Sequence, residues 1–290
     1  MGIKLEQVGY CYQKNSPFEK RALTDVNVTF ETGSYTAVIG HTGSGKSTLV
    51  QHLNALLLPT EGKITLFDRE MIAGVKQKKL RDIRCRVGIV FQFPEAQLFE
   101  ETVLKDIIFG PLNFGATKEE AEKRAREVIQ EVGLSEAILE RSPFELSGGQ
   151  KRRVAIAGVL AMDPEVLVLD EPTAGLDPHG RNEIMEMFYD LHVQKNLTTI
   201  LVTHSMEDAA RYAEKIVLMK DGTVNQIGEP RAIFAESEKL LNLGLLVPEV
   251  VRFQRNFERK FNVKLSKICL NMDELLHEIL PFLGKDASGL

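Results

Sequence analysis

Tyr35-Thr36-Ala37-Val38-Ile39 runs directly into Gly40-His41-Thr42-Gly43-Ser44-Gly45-Lys46-Ser47, with Thr48 following. The first five residues carry no charge and include β-branched and aromatic side chains, the composition of a buried strand. The next eight form a phosphate-binding loop. Polyphosphate needs closely packed backbone N–H donors, and glycine supplies them by tolerating unusual dihedrals and removing side-chain bulk. A helix expected from Lys46 to about Leu57 adds the partial positive charge of its N-terminus. Lys46 adds a full charge, and the Ser47 hydroxyl can ligate magnesium.

Outward from this loop, Val87–Phe91, Val166–Leu169 and Thr198–Thr203 repeat the form of a short apolar strand ending at polar residues. They alternate with helical patterns, which predicts an α/β fold on a largely parallel sheet buried on both faces. The texture differs from Phe93 to about Leu160. Thr117–Val132 is charged and amphipathic, opened by a Thr117–Glu120 capping box and closed by Gly133, and a second capped helix follows Ser147, with Gln150 three residues on. This stretch is expected to be a helical subdomain (about 93–160) inserted into a nucleotide-binding domain spanning 1–228. Residues 229–290 read as a small, mainly helical C-terminal extension, with apolar pairs at Leu240–Leu241 and Leu275–Leu276.

Two further segments carry chemistry. Val166-Leu167-Val168-Leu169-Asp170-Glu171 ends a strand with adjacent carboxylates. Asp170 can hold a magnesium shell, and Glu171 can polarise an attacking water, as phosphoryl transfer requires. Leu146-Ser147-Gly148-Gly149-Gln150 places two glycines at a capped helix start, a second anion site of N–H groups and helix dipole. One triphosphate tail is already served by the loop at Gly40–Ser47. A second anion site makes sense if it serves a nucleotide held by another subunit.

Phosphate loop, Gln92, Leu146–Gln150, Asp170-Glu171, Ala174-Gly175-Leu176-Asp177 and His204 follow one another as in ABC ATPases, a resemblance covering about Leu5 to Gly228. It implies an ABC-type ATPase core using ATP and Mg2+, and a head-to-tail dimer with two ATPs between phosphate loop and signature segment. Gln92 would contact magnesium and the attacking water, alongside Ser47 and Asp170 as metal-site residues. Ser147, Gly148, Gly149, Gln150 and Asp177 would face the partner's ATP. Pro178 at the first helical position fits Asp177 as a helix cap. His204, before the cap Ser205 and its partner Asp208, would contact the γ-phosphate. Tyr12 resembles the aromatic that stacks on adenine, with Tyr10 a weaker candidate.

Phe91-Gln92-Phe93-Pro94-Glu95-Ala96-Gln97-Leu98-Phe99, continuing through Thr102-Val103, Asp106-Ile107 and Phe109-Gly110-Pro111, resembles the Gln-loop of energy-coupling factor transporter ATPases. The opening Gly40-His41-Thr42-Gly43-Ser44 and Leu245-Leu246-Val247-Pro248 agree. In that family, importers of vitamins and metal ions, two ATPases dock on one transmembrane coupling protein that engages small substrate-binding membrane subunits. This chain most resembles the second ATPase of the pair, so a heterodimer with a homologous subunit is expected rather than a homodimer. Phe93, Leu98 and Phe99 are expected to form a groove for helices of the coupling protein. The alternative is the ATPase of a conventional ABC transporter, which shares the chemistry and differs in partner.

Composition narrows the remaining classes. The chain has 290 residues, 43% hydrophobic and 27% charged, with a net charge of −5 that disfavours non-specific nucleic-acid binding. Met1–Tyr10 lacks a signal-peptide pattern, and no apolar run approaches the ~20 residues of a membrane span. The expected location is the cytoplasmic face of the cell membrane, as a peripheral protein. Cys11, Cys85 and Cys269 are widely spaced and odd in number, which argues against zinc or a disulfide framework. The basic stretch Lys76–Arg86 reads as a solvated face. No long heptad run separates Ser47 from Leu146, against a chromosome or DNA-repair ATPase, and a single cassette argues against a translation factor. Intact Glu171 and His204 oppose a non-hydrolysing binding module.

Overall fold

In the computed structural model, which describes residues 2–78 and 80–283, every residue of Tyr35–Ile39 is buried. The strands are β1 (Ile3–Tyr12), β2 (Lys20–Phe30), β3 (Tyr35–Ile39), β4 (Glu61–Leu66), β5 (Arg69–Ile72), β6 (Val87–Val90), β7 (Val166–Asp170), β8 (Thr198–Val202), β9 (Lys215–Lys220) and β10 (Thr223–Gly228). Six of them form one sheet in the order β10-β9-β3-β8-β7-β6. From β9 to β6 neighbouring strands are parallel, and only β10 runs antiparallel, against β9. The remaining four make an antiparallel sheet, β2-β1-β4-β5.

The parallel arrangement explains why the strands read as unbroken apolar runs. On one side Leu167, Leu169 and Leu201 pack under the helices Val103–Phe114, Lys118–Glu131 and Gly148–Leu160, which lie between β6 and β7 in the chain. On the other, Val38, Val168, Ile200 and Val202 pack against Leu5, Val26 and Ile64 of the antiparallel sheet. A strand covered on both faces has no polar face to alternate with.

Residues beyond Gly228 form the helices Pro230–Ala235, Ser237–Asn242, Glu249–Phe261 and Met272–Leu283. They share a core with the sheet: Ala37, Ile39 and Leu218 pack with Phe234, Val251 and Leu275. Only one member of each apolar pair is inside, since Leu240 and Leu275 are buried while Leu241 and Leu276 are exposed. The expected extension runs on to residue 290, and its residues 284–290, like Lys79 of the basic stretch, lie outside the described residues.

One helix ends earlier than its sequence predicts. It spans Lys46–Leu53 rather than reaching Leu57, because the Asn54 side chain accepts the Leu56 N–H at 3.1 Å and Ala55 turns left-handed at φ 56°. The basic stretch is only partly a solvated face: Arg84 donates to the Ala55 carbonyl at 3.0 Å, and the Arg86 guanidinium lies 3.6 Å from the centre of the Phe67 ring. Among the described residues no helix is long and apolar enough to cross a membrane.

Candidate functional site: a nucleotide site at the carboxyl edge of the parallel sheet

Because β3, β6, β7 and β8 are parallel, the residues that follow them emerge on one edge. That edge receives the phosphate loop after β3, Gln92 after β6, Asp170-Glu171 at the end of β7 and His204 after β8. Parallel α/β sheets bind ligands at this edge, where helix N-termini converge.

The phosphate loop is shaped by its glycines. Gly43 and Gly45 are left-handed, at φ 83° and 99°. A Cβ at Gly40 would lie 2.4 Å from the Met219 carbonyl oxygen, and one at Gly45 would lie 2.9 Å from that of Ala22. The Lys46–Leu53 helix starts at Gly45 without a side-chain cap, as do Arg81–Arg86, Pro230–Ala235, Ser237–Asn242 and Glu249–Phe261, whereas Thr102, Thr117, Ser147, Asp177 and Ser205 each cap the helix they precede. No side chain takes up its first-turn N–H groups, the condition under which a helix start can bind an anion. The Lys46 ammonium is buried inside the loop, donating to the carbonyls of Gly40 at 2.7 Å and His41 at 3.0 Å. Burial lowers its pKa, opposed by the nearby Glu171 and Asp170 carboxylates.

Asp170 ends β7 half-buried. Burial and then the neighbouring Glu171 charge push its carboxyl up to about 6, against the pull of Lys46. Glu171 departs from the strand with a left-handed φ of 48°, its N–H held by the Val202 carbonyl at 2.9 Å. One carboxylate oxygen meets His204 Nε2 at 2.7 Å and the other accepts from Gln92 Nε2 at 3.2 Å. A carboxylate fixed from both sides in this way can orient and polarise a water.

Ser147 and Gln150 form the reciprocal capping box: Ser147 Oγ accepts the Gln150 N–H at 3.3 Å, and Gln150 Oε1 accepts that of Ser147 at 3.1 Å. A Cβ on Gly148 or Gly149 would meet nothing within 4 Å. Asp177 caps Pro178–Lys195 by accepting the Gly180 N–H at 2.7 Å, and Ser205 accepts the Asp208 N–H at 3.1 Å. At the other flank of the loop, the Tyr12 hydroxyl bonds Thr48 Oγ1 at 3.1 Å, and the Tyr10 ring stands edge-on to Tyr12 and His52. Thr48 is buried, so its hydroxyl serves Tyr12, while Ser47 is exposed.

Three features of this edge have no local signal in the sequence. The β9–β10 turn braces the phosphate loop: Gly222 N–H donates to the Ser44 carbonyl at 3.0 Å, and Asp221 lies 3.5 Å from His41 Nε2. Arg152, a buried member of a basic run, holds Glu95 in a two-pronged ion pair. Phe93 takes a left-handed φ of 55°, which turns its ring toward Gly175. It therefore does not join Leu98 and Phe99, which line a groove with Phe91, Asp106, Phe109 and Val159.

Residues 23–174 match the ABC transporter family. The energy-coupling factor transporter ATP-binding protein EcfA2 of Listeria monocytogenes is 78% identical over 285 residues, covering 98% of this chain and 99% of the relative. The chain belongs to the EcfA2 family. EcfA2 of Bacillus subtilis is 62% identical, over 91% of this chain and 96% of that protein. Among solved structures, cbiO1 of Clostridium perfringens, part of the ABC transporter complex cbiONQ, aligns with a TM-score of 0.73 at 35% identity, covering 90% and 98% of the two chains. The ATP-binding cassette MJ0796, solved as a dimer, aligns with a TM-score of 0.69 at 32% identity, over 79% and 99%. As an EcfA2-family member this chain is an ATP-binding, ATP-hydrolysing subunit that drives an energy-coupling factor transporter.

Proposed function

We propose that this chain hydrolyses Mg·ATP at the edge built from Gly40–Thr48, Gln92, Asp170, Glu171 and His204, within a dimer whose other member is a homologous ATPase. The observation that carries this reading is the Glu171 carboxylate held between His204 at 2.7 Å and Gln92 at 3.2 Å. Glu171 orients the attacking water, and His204 keeps the carboxylate in place and reaches the γ-phosphate. Backbone N–H groups of Gly43–Ser47 and the Lys46 ammonium bind the β- and γ-phosphates. Tyr12 offers its ring to the adenine, its hydroxyl anchored on Thr48.

Ser47, Asp170 and Gln92 supply a hydroxyl, a carboxylate and an amide oxygen, a hard-oxygen set that fits magnesium and not a soft metal. Gln92 donates through Nε2 to Glu171, which leaves its amide oxygen for such a partner. When bound, the ion neutralises charge on the transferred phosphoryl group. Ser147–Gln150 and Asp177 face the nucleotide held by the partner subunit.

The groove lined by Phe91, Leu98, Phe99 and Phe109 takes helices of a transmembrane coupling protein, which in turn engages substrate-binding membrane subunits for vitamins or other micronutrients. The chain then sits peripherally on the cytoplasmic face of the membrane.

Glu171→Gln tests the chemistry: ATP should still bind, while turnover falls by roughly a hundredfold or more. Retained turnover would remove Glu171 from the role assigned to it. For the partners, the tagged chain should co-purify from mildly solubilised membranes with a second ATPase, one coupling protein and small apolar subunits. Recovery with a conventional permease would contradict that part of the reading.

A further inference from the structure

Arg152 is 2% exposed, and an arginine stays charged at any physiological pH. A buried charge must be compensated in full. Here Nε and Nη2 grip the two Glu95 oxygens at 2.9 and 2.8 Å, Nη2 also donates to the Ala174 carbonyl at 3.0 Å, and Nη1 reaches that of Pro172 at 3.4 Å. Burial alone would raise the Glu95 pKa, but the Arg152 bond, a backbone hydrogen bond and the Arg152 charge together outweigh it and hold the carboxyl below its ordinary value.

What matters is where those partners sit. Glu95 stands just beyond Gln92, on the short turn Pro94–Gln97. Pro172 follows Glu171, and Ala174 belongs to the turn that leads to Asp177. Arg152 itself is one helical half-turn past Gln150, in Gly148–Leu160. The same junction contains the two left-handed residues Phe93 and Glu171, at φ 55° and 48°. Such conformations persist only where surrounding contacts over-determine them.

We infer that Arg152 is a positioning residue. With Glu95 it clips the Gln92 segment and the Glu171–Asp177 turn to the helix that begins at Gly148. A displacement of the Gln92–Phe99 segment then moves Gln150, Glu171 and Asp177 together and not one at a time. The inference rests on the site roles proposed above. Lysine cannot replace arginine here, because a point charge cannot reach two carboxylate oxygens and two carbonyls in one plane.

The test compares Arg152→Lys and Glu95→Gln with wild type, in the full-length chain within its native membrane complex. Turnover, KM for ATP and melting temperature are read together. The clip predicts that kcat falls roughly tenfold to a hundredfold, as small misplacements of reacting groups do. KM for ATP should stay within about twofold, since the phosphate loop is untouched. Arg153→Lys is the control: Arg153 holds the Val132 carbonyl at 2.8 Å and Glu183 at 3.2 Å, so its loss should lower the melting temperature and leave kcat alone. Unchanged kcat in both variants, or activity lost only in step with melting temperature, would overturn the clip. Should Arg152→Lys fail to fold, the near-isosteric Glu95→Gln decides alone. Turnover that survives Glu171→Gln would remove the site roles and the clip with them, whereas a dead Glu171→Gln beside a fully active Glu95→Gln removes only the clip.

Discussion

The molecule has two glycine-rich turns at helix starts, and its own structure requires glycine in only one of them. In the phosphate loop, Gly43 and Gly45 are left-handed, and a Cβ at Gly40 or Gly45 would collide with the Met219 or Ala22 carbonyl. At Gly148 and Gly149 a Cβ would enter open space, and neither residue is left-handed. The second helix is also already capped by Ser147, while the first is left uncapped at Gly45. The phosphate loop is thus explained from inside the chain. The Gly148-Gly149 turn is explained only by something that approaches from outside, and a nucleotide held by a partner subunit is the approach that the proposed dimer supplies.

Substitutions can break that contrast. The largest effect on stability is expected at Gly45→Ala, which forces an L-residue to φ 99° and sets its Cβ 2.9 Å from Ala22. The combined dihedral and steric penalty is about 2–4 kcal/mol, read from the denaturant midpoint. A midpoint near wild type would mean that the loop's shape does not depend on this glycine.

Next in size is Asp170→Asn, which should stabilise the nucleotide-free chain while removing a group needed for turnover. Asp170 has its pKa raised to about 6 from an ordinary 3.8, so the folded state holds the proton more tightly than the unfolded one. Its penalty is therefore absent below pH 3.8, grows as pH rises, and is complete above about 6. Allowing for its partial exposure to solvent, the asparagine variant should gain about 1–2 kcal/mol at pH 7, and that gain should vanish as pH falls toward 4. A variant less stable than wild type at pH 7 would refute the account of Asp170 as a desolvated charge.

The smallest change in stability is expected at Gly148→Ala and Gly149→Ala. Alanine in an open first turn should change stability by about 0.5–1 kcal/mol at most, in the favourable direction. A clear loss would show that these glycines, too, answer to the chain's own packing.

The parts legible in the sequence were those whose physical demand falls on neighbouring residues. Unbroken apolar strands announce a two-sided sheet, and the capping boxes at Thr117–Glu120 and Ser147–Gln150 are complete within four residues. The phosphate loop is legible for the same reason. The end of the helix from Lys46 is hidden in the sequence because position 54 carries neither glycine nor proline, although the Asn54 side chain stops the helix. Phe93 stands apart from the Leu98–Phe99 groove, with its ring beside Gly175, and the left-handed φ of 55° that accompanies this placement leaves no mark in the sequence. Arg152 meets Glu95 across 57 residues of sequence, and Gly222 meets Ser44 across much of the chain. Contacts of that range leave no local pattern, so nothing in the run Lys151-Arg152-Arg153 marks Arg152 as buried.

The central claim, that Gly148-Gly149 serves a nucleotide outside its own chain, is tested most directly by the ATP turnover of Gly149→Ala in the assembled complex, read beside its melting temperature. The account predicts a melting temperature equal to or above wild type, retained ATP binding, and turnover reduced roughly a hundredfold. Wild-type turnover, or turnover lost only as the fold is lost, would contradict it.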